Sequence, residues 1–348
     1  MDNTTSSSSS NAKKRKRGDS KDFSSLPTDT VDTFPKLLCI AQQVDDILSG
    51  SKRPKAMGRQ YQCLKRLSYM LPELEEIDAL IGLSELKDQI AMQLIFITQG
   101  LNEDEFLNIA IMGPPGVGKT TIVNILARIL AKIGHLSEGT VTTAKRSDFI
   151  GQYLGETSIK TSELLERAKG GVLLIDEAYQ LGSSPNSSSG DSYSRECMNT
   201  LNQFIGENPT DFVCIIAGYK EEIYKSFFKA NPGLERRFPW KFEVKPYCPT
   251  ELSDVFYFQL SESGWFMDED VDLTILIRNN TDLFEFNGGD TKSLLDKCKM
   301  AYSQRVLMLP EKEKTKTLTK HDLDSAMKRH KLNRVINAIP GPPSGMYL

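Results

Sequence analysis

The sequence predicts an α/β fold in which a central parallel β-sheet is flanked by helices and followed by a smaller, all-helical domain. In the middle third of the chain, continuously apolar segments alternate with segments of helical periodicity. Runs that are apolar throughout suit parallel strands covered by helices on both faces. From about residue 248 onward the periodicity is helical, and 348 residues are too many for one small core.

Ahead of the sheet, the chain is predicted to have a disordered tail and a helical region. Residues 1–33 are polar and serine-rich and lack the apolar residues that a core requires. Residues 34–74 contain two helical patterns joined by SGSKRPKAMG. The stretch LPELEEIDALIGLSELKDQIAMQLIFI is then predicted to begin as a linker and to lead into a further helix.

The large α/β domain is assigned to residues 75–247. Its predicted strands are LNIAIM, GTVTTA, GVLLID and DFVCIIAG, with amphipathic helical segments between them. Residues 248–334 contain four further helical segments and form the small domain, and residues 335–348 are predicted to be a loose tail.

Composition excludes several classes of protein. No apolar run approaches the roughly 18–20 residues that span a bilayer, and because the N-terminal segment is polar and serine-rich we expect no secretory signal. We therefore expect an intracellular protein with no membrane partner. The six cysteines are scattered and form no CxxC pair, which argues against a zinc or disulfide framework and for a reducing compartment.

Charge is unevenly distributed along the chain. The net charge is −3, and the run KKRKR at residues 13–17 contributes +5, so the remainder carries −8. So acidic a body argues against nucleic-acid binding, which depends on clustered Lys and Arg. The basic run resembles a short nuclear-import signal and predicts a cytoplasmic or nuclear location, although a solvated basic run in a tail is the alternative.

The segment GPPGVGKT fits the phosphate-binding pattern G-x-x-x-x-G-K-[ST] and lies between a predicted strand and a predicted helix. Its glycines turn backbone N–H groups toward phosphates, and the helix N-terminus adds a positive field. Lys119 neutralises β- and γ-phosphate charge, and the Thr120 hydroxyl ligates Mg²⁺. A chance glycine-rich turn is the alternative. The predicted nucleotide-binding residues here are Gly113, Pro114, Pro115, Gly116, Val117, Gly118, Lys119, Thr120 and Thr121.

The segment GGVLLIDEA places two carboxylates at the end of an apolar strand. Asp176 is predicted to hold Mg²⁺ through its water shell, and Glu177 to orient or deprotonate the attacking water. Such a pair is common on its own, but this one lies 57 residues after Lys119 and one strand away. Together the two motifs predict binding and hydrolysis of ATP with Mg²⁺, with Lys119 and Glu177 as catalytic residues.

From about residue 75 to 330 the chain resembles AAA+ ATPases, and within them the branch that contains red-type Rubisco activase and stage V sporulation protein K. The segments that carry the resemblance are LIGLSELKDQI, GPPGVGKT, FIGQYLGETSIKTSELLERAKGGVLLIDEAYQL, IIAGYKEEI and NPGLERRF. It implies a P-loop nucleotide-binding domain with a helical lid domain. It also implies a ring-shaped homo-oligomer, expected to be a hexamer, that acts on a polypeptide, called the client below.

By this resemblance, Ile81 and Gly82 contact the adenine base. NPGLERRF places Arg237, with Arg236 as the alternative, at the subunit edge, where an arginine stabilises charge on the nucleotide of the neighbouring subunit. The competing interpretation is that both arginines line a solvated turn.

Two sensor positions depart from the wider family. AGYK offers Tyr219 where Asn or Thr is usual, and GGDTKSLL offers Lys292 where arginine is usual. Lysine keeps the charge but lacks the planar fork that binds a phosphate at two points. We therefore expect weaker coupling between hydrolysis and domain motion.

The stretch GQYLGETSIK combines an aromatic residue with flexible glycines in a polar segment. By resemblance, Tyr153, Leu154 and Gly155 form a pore loop, and six such loops grip an extended polypeptide. The alternative is a Tyr153 folded back on its own domain. Residues 180–196 form either a second axial loop or a surface linker.

The leading functional hypothesis is an ATP-driven ring that remodels or threads a protein client. The first alternative is a nucleic-acid machine, such as a clamp loader or helicase, against which the acidic body and the non-basic pore loop argue. The second is a nucleotide-dependent scaffold with little turnover, which the altered second sensor leaves open.

Overall fold

The computed structural model describes Phe23 and residues 26–27, 29–49, 58–102, 105–153, 155–182, 192–268 and 271–338. The predictions for Leu154, for the basic run at 13–17 and for most of the segment 180–196 therefore lie outside the described residues. Within those described ranges, no helix has the length and apolar character needed to cross a membrane.

Among the described residues, four helices precede the sheet: α1 (Phe34–Ser49), α2 (Arg59–Tyr69), α3 (Leu71–Ala79) and α4 (Ser84–Thr98). The first two and the last match the predicted helical patterns. The prediction of a linker at LPELEEIDAL is wrong, because α3 occupies it. Its proline lies in the first turn, where it is tolerated, and Leu74 and Ile77 are buried on one face.

The large domain contains a five-stranded sheet. Its elements are β1 (Ile109–Met112), α5 (Lys119–Lys132), β2 (Val141–Ala144), α6 (Arg146–Phe149), α7 (Glu156–Ala168), β3 (Val172–Ile175), α8 (Ser192–Glu207), β4 (Val213–Gly218), α9 (Lys220–Glu222), α10 (Pro232–Glu235) and β5 (Trp240–Glu243). The strand order is β2-β3-β4-β1-β5, and every pairing is parallel, which confirms the predicted α/β class. The sequence analysis missed β5 because this edge strand alternates apolar and polar residues instead of forming an apolar run.

The small domain, called the lid below, consists of α11 (Pro249–Glu262), β6 (Phe266–Met267), α12 (Leu273–Arg278), α13 (Gly288–Arg305), β7 (Thr317–Leu318) and α14 (Lys320–Ala338). The four predicted helices are present. The prediction of an all-helical domain is wrong in one detail, since β6 pairs with β7 in parallel. Two residues per strand are too few to leave a periodic pattern in the sequence.

The helical region before residue 75 belongs to the core of the large domain. Phe34, Leu37 and Leu74 are buried in the same hydrophobic cluster as Ile109 of β1 and Ile122 of α5. The lid has a hydrophobic cluster of its own. The described residues therefore form one hydrophobic cluster on each face of the sheet, a third in the lid and a small fourth one around Val44 of α1.

A buried carboxylate joins α3 to α5. The side chain of Glu73 is only 6% exposed, and its Oε2 lies 2.6 Å from Lys132 Nζ. Its Oε1 lies 3.8 Å from Arg128 Nε. This ion pair fixes the N-terminal helices against the helix that follows the phosphate loop.

We expect Glu73→Gln to lower the free energy of unfolding by about 1–3 kcal/mol, because it removes a charge-assisted hydrogen bond from a buried site. Urea denaturation followed by circular dichroism measures this change. The matched control is Glu76→Gln, since the half-exposed Glu76 also pairs with Arg128. That control is expected to cost less than about 1 kcal/mol. Equal losses in the two variants would contradict a special role for Glu73.

Candidate functional site

A glycine-rich loop connects β1 to α5 at the carboxyl edge of the sheet. Gly116 has a φ of +76° and Gly118 a φ of +81°, a left-handed conformation that glycine adopts without strain. The helix α5 begins directly afterwards at Lys119, and Val117 is buried beneath the loop. The sequence therefore folds here into a turn that exposes a helix N-terminus, which is an anion-binding arrangement.

The lysine of this loop lies between the backbone and two acidic residues. Lys119 Nζ donates to the carbonyls of Gly113 (2.9 Å) and Pro114 (2.8 Å). Burial lowers the pKa of Lys119, and the charges of Glu177 and Asp176 oppose that shift. The structure therefore brings the phosphate-binding motif and the two carboxylates into one site.

The carboxylates follow β3, which is separated from β1 by β4 alone. The backbone N–H of Glu177 donates to Asp176 Oδ1 at 3.1 Å. Glu177 itself has a φ of +53°, which is uncommon for a non-glycine residue and turns the chain sharply at the site. Strained backbone of this kind is frequent where a side chain must be held for function.

One tyrosine contacts Glu177, and a second packs against the first. The hydroxyl of Tyr179 donates to Glu177 Oε2, and its ring centroid lies 6.2 Å from that of Tyr219 at the end of β4. Burial, together with this carboxylate, raises the pKa of Tyr179 to about 12, so Tyr179 remains a donor at neutral pH. The sequence analysis selected Tyr219 but missed Tyr179. Tyr179 lies in a 3₁₀ turn at Ala178–Leu181 that directly follows Glu177, and this turn brings its hydroxyl to the Glu177 carboxylate.

A cavity of about 330 Å³ opens beside the loop, between the large domain and the lid. Ile81 lines it, together with Tyr247 and Phe258, so its walls are mainly apolar and aromatic. Such a surface is suited to a nucleotide base. Gly82 does not line the cavity but lies against the side chain of Glu251, with a φ of +64°.

The second predicted sensor lies away from this cavity. Lys292 is in the second turn of α13, its side chain is 53% exposed, and its Nζ is 4.0 Å from Asp296 Oδ1. It is not among the residues that line the cavity. The structure thus brings together the predicted nucleotide residues, with two exceptions. Gly82 lies next to the cavity without lining it, and Lys292 lies farther along α13.

The two candidate arginines differ in their surroundings. Arg236 is exposed. Arg237 is half-buried, because its Nη1 donates to the Gly233 carbonyl (3.0 Å) and its guanidinium lies 5.8 Å from the ring centroid of Phe106. Arg236 is therefore the more accessible of the pair.

The loop before α7 presents an aromatic ring to solvent. Tyr153 is 68% exposed, whereas its backbone is held by the side chain of Glu156. Gly155 has a φ of +88° at the start of α7. The alternative of Tyr153 folded back on its own domain is therefore not the arrangement in this structure.

Comparison with known proteins identifies the family. The model of the "ATPase family associated with various cellular activities (AAA)" matches residues 109–245, which include the phosphate loop and both carboxylates. The cfxQ-like protein of Acanthamoeba polyphaga mimivirus is 36% identical over 274 residues, which cover 78% of this chain and 67% of that protein. The chain belongs to the AAA ATPase family.

Two further relatives define the branch of this AAA ATPase. Stage V sporulation protein K of Bacillus subtilis is 28% identical over 308 residues, covering 82% of this chain and 94% of that protein. The chloroplastic ribulose bisphosphate carboxylase/oxygenase activase of Cyanidioschyzon merolae is 31% identical over 253 residues, covering 72% of this chain and 83% of that protein. The resemblance to the activase and sporulation-protein branch is thereby confirmed.

Family membership establishes the enzyme class. The AAA ATPase binds ATP and is an ATP hydrolase. Its phosphate loop, the two carboxylates after β3 and the apolar cavity are the parts of the structure that suit this reaction.

Proposed function

We propose that this AAA ATPase assembles into a ring of six subunits and uses ATP hydrolysis to remodel or thread a protein client. The observation that carries the proposal is Tyr153, an aromatic side chain that is exposed on a loop of ordered backbone. Single exposed aromatic rings are common on protein surfaces, but this one lies between Gly151 and Gly155, in the loop that resembles a pore loop of AAA+ rings. The relative from Cyanidioschyzon merolae is named as an activase of an enzyme, which supports a protein as the client class.

The loop holds its backbone and leaves the ring free. Glu156 Oε2 accepts hydrogen bonds from the N–H groups of Gln152 (3.1 Å) and Tyr153 (3.2 Å). The N–H of Gly151 donates to Thr157 Oγ1 at 3.0 Å. Polar backbone groups are thus satisfied internally, while the ring can pack against a polypeptide of any sequence. Leu154 is proposed to join this contact.

The catalytic roles are distributed over the phosphate loop and the end of β3. Lys119 neutralises phosphate charge, and Glu177 orients or deprotonates the attacking water. Thr120 and Asp176 would hold Mg²⁺, which supplies further neutralisation of the phosphates. Two oxygen ligands fit a Mg²⁺ that is carried mainly by phosphates and water. In the described part of the chain, no cluster of three or more metal-binding side chains occurs.

The remaining predicted contacts are also proposals. Ile81 lines the base cavity, and Gly82 is adjacent to it, so both are proposed to contact adenine through their backbone. Tyr219 is proposed to respond to the γ-phosphate through its contact with Tyr179. Lys292 is proposed to contribute charge only when the lid moves, because it lies outside the cavity here.

An arginine of one subunit is proposed to complete the site of the next. Exposure favours Arg236 for this role, while Arg237 supports the turn through Gly233. We expect Arg236→Ala to reduce the hydrolysis rate by about 10³-fold, because charge stabilisation supplied in trans is lost. Phosphate release at saturating MgATP measures the rate.

Mixing two inactive variants tests the role in trans. Subunits with Arg236→Ala keep their own catalytic carboxylate, and subunits with Glu177→Gln keep the arginine, so mixed rings should recover activity. If mixtures with Glu177→Gln recover hydrolysis when the second variant is Arg237→Ala, but not when it is Arg236→Ala, the role in trans belongs to Arg237. Absence of activity in every mixture would contradict shared sites altogether.

The oligomer is tested with the Glu177→Gln variant, which is expected to keep ATP bound. Light scattering coupled to size exclusion should show assembly beyond the monomer when MgATP is present. A monomer at every ATP concentration would overturn the proposed ring, and with it the proposed action on a client. The location of the protein stays a prediction, since the basic run at 13–17 lies outside the described residues.

A further inference from the structure

The carbonyl groups at positions 113–117 of the phosphate loop each accept a hydrogen bond from another group of the protein. Those of the first two residues bind Lys119 Nζ. The next three carbonyls, at positions 115–117, accept from Asn287 Nδ2 (3.2 Å), the Gly288 N–H (3.0 Å) and the Tyr247 hydroxyl (3.3 Å), in that order. Because the N–H groups of a phosphate loop must face the anion, donors on the opposite side stabilise its binding conformation.

Asn287 is the residue that joins the loop to the lid. It precedes α13, is only 1% exposed, and has a φ of +50° with a ψ of −119°, a strained conformation for a non-glycine residue. Its Oδ1 accepts from the N–H of Tyr247, in the segment between the two domains, at 2.9 Å. One buried amide therefore contacts the phosphate loop, the interdomain segment and the lid.

The lid approaches this loop closely enough to require a glycine. A Cβ atom at Gly116 would lie 2.1 Å from the carbonyl oxygen of Phe286, which directly precedes Asn287. The contact is therefore backbone against backbone. In contrast, the exposed Lys292 makes its ion pair with Asp296 and not with the loop.

We propose that Asn287 is a positioning residue for nucleotide binding, which couples the lid to the triphosphate through the carbonyl side of the phosphate loop. Lid position and phosphate occupancy then influence one another through the same hydrogen bonds. Such coupling is reciprocal, so a docked lid favours phosphate binding and bound phosphate favours a docked lid. The inference rests on the nucleotide site of an ATPase and not on the proposed ring or client.

Asn287→Asp tests the proposal with almost no change of shape. The carboxylate still accepts from the Tyr247 N–H but cannot donate to the Pro115 carbonyl, and its charge repels that oxygen. We expect the Kd for a fluorescent, slowly hydrolysed ATP analogue with Mg²⁺ to rise about tenfold. Hydrogen exchange should show that this nucleotide protects the amides of residues 288–291 in the natural protein but not in the variant.

The matched control is Tyr257→Phe, which removes a hydroxyl that donates to the Val271 carbonyl (3.3 Å) inside the lid. It should leave the Kd within about twofold of the natural value. An Asn287→Asp protein that binds the analogue normally, or one that loses only as much affinity as Tyr257→Phe, would overturn the proposal.

A second variant covers the case in which Asn287→Asp does not fold. Tyr247→Phe keeps the aromatic wall of the cavity but removes the hydroxyl that donates to Val117. Burial raises the pKa of Tyr247, so the hydroxyl is protonated at neutral pH. The Kd is expected to rise about threefold, and an unchanged Kd together with unchanged protection of residues 288–291 would overturn the proposal.

Discussion

Glu177→Gln is expected to slow ATP hydrolysis by about 10²–10⁴-fold while leaving ATP affinity within about twofold. The substitution is nearly isosteric and removes the carboxylate that orients or deprotonates water. Lys119, the loop and the base cavity remain in place, so binding should persist. Phosphate release under saturating MgATP measures turnover, and titration with a fluorescent ATP analogue measures affinity.

The control is Glu166→Gln, an exposed carboxylate near the end of α7 that lies 3.9 Å from Lys169. Its turnover should match that of the natural protein. Normal turnover in Glu177→Gln would contradict the catalytic assignment. A natural protein that itself releases almost no phosphate would instead favour the nucleotide-dependent scaffold.

Tyr153→Ala is expected to abolish capture of the client while leaving basal hydrolysis within about twofold. The ring of Tyr153 is exposed and makes no contribution to the core, so its removal should not disturb the fold. Proteins retained by Glu177→Gln with MgATP should be lost, at least tenfold, when Tyr153→Ala is added. Quantitative mass spectrometry of the retained proteins measures the loss.

Tyr69→Ala provides the matched control, because Tyr69 is also an exposed aromatic residue, at 52%, but lies on α2. It should retain the same proteins as Glu177→Gln alone. Equal retention with and without Tyr153 would contradict the pore-loop assignment. Equal losses for the two tyrosines would point to nonspecific adhesion.

Much of the fold follows from the sequence because local and tertiary preferences agree. The segments LNIAIM and DFVCIIAG contain the uninterrupted apolar runs IAIM and VCIIAG, and both runs become central strands buried on two faces. The strand β5 and the helix α3 were not predicted from the sequence, for a common reason. Each is short and only partly apolar, so neighbouring elements decide its conformation more than its own pattern does.

The phosphate loop and its carboxylates could also be predicted, since each chemical role lies within one short motif. Roles that depend on two residues far apart in the sequence could not be predicted. Asn287 bonds to a carbonyl 172 positions earlier in the chain, and nothing near it in sequence indicates that partner. Tyr179 is only two residues from Glu177, but the contact between them also could not be predicted. The direction of the Tyr179 hydroxyl depends on the 3₁₀ turn in which this residue lies.

The shared core of the N-terminal helices and the sheet sets a limit on how far the enzyme can be shortened. A fragment that starts near residue 75, where the family resemblance begins, would strip Phe34, Leu37 and Leu74 from the cluster around β1. It would leave a wide apolar face open to water and invite aggregation. A minimal catalytic unit of this protein must therefore begin upstream of Phe34.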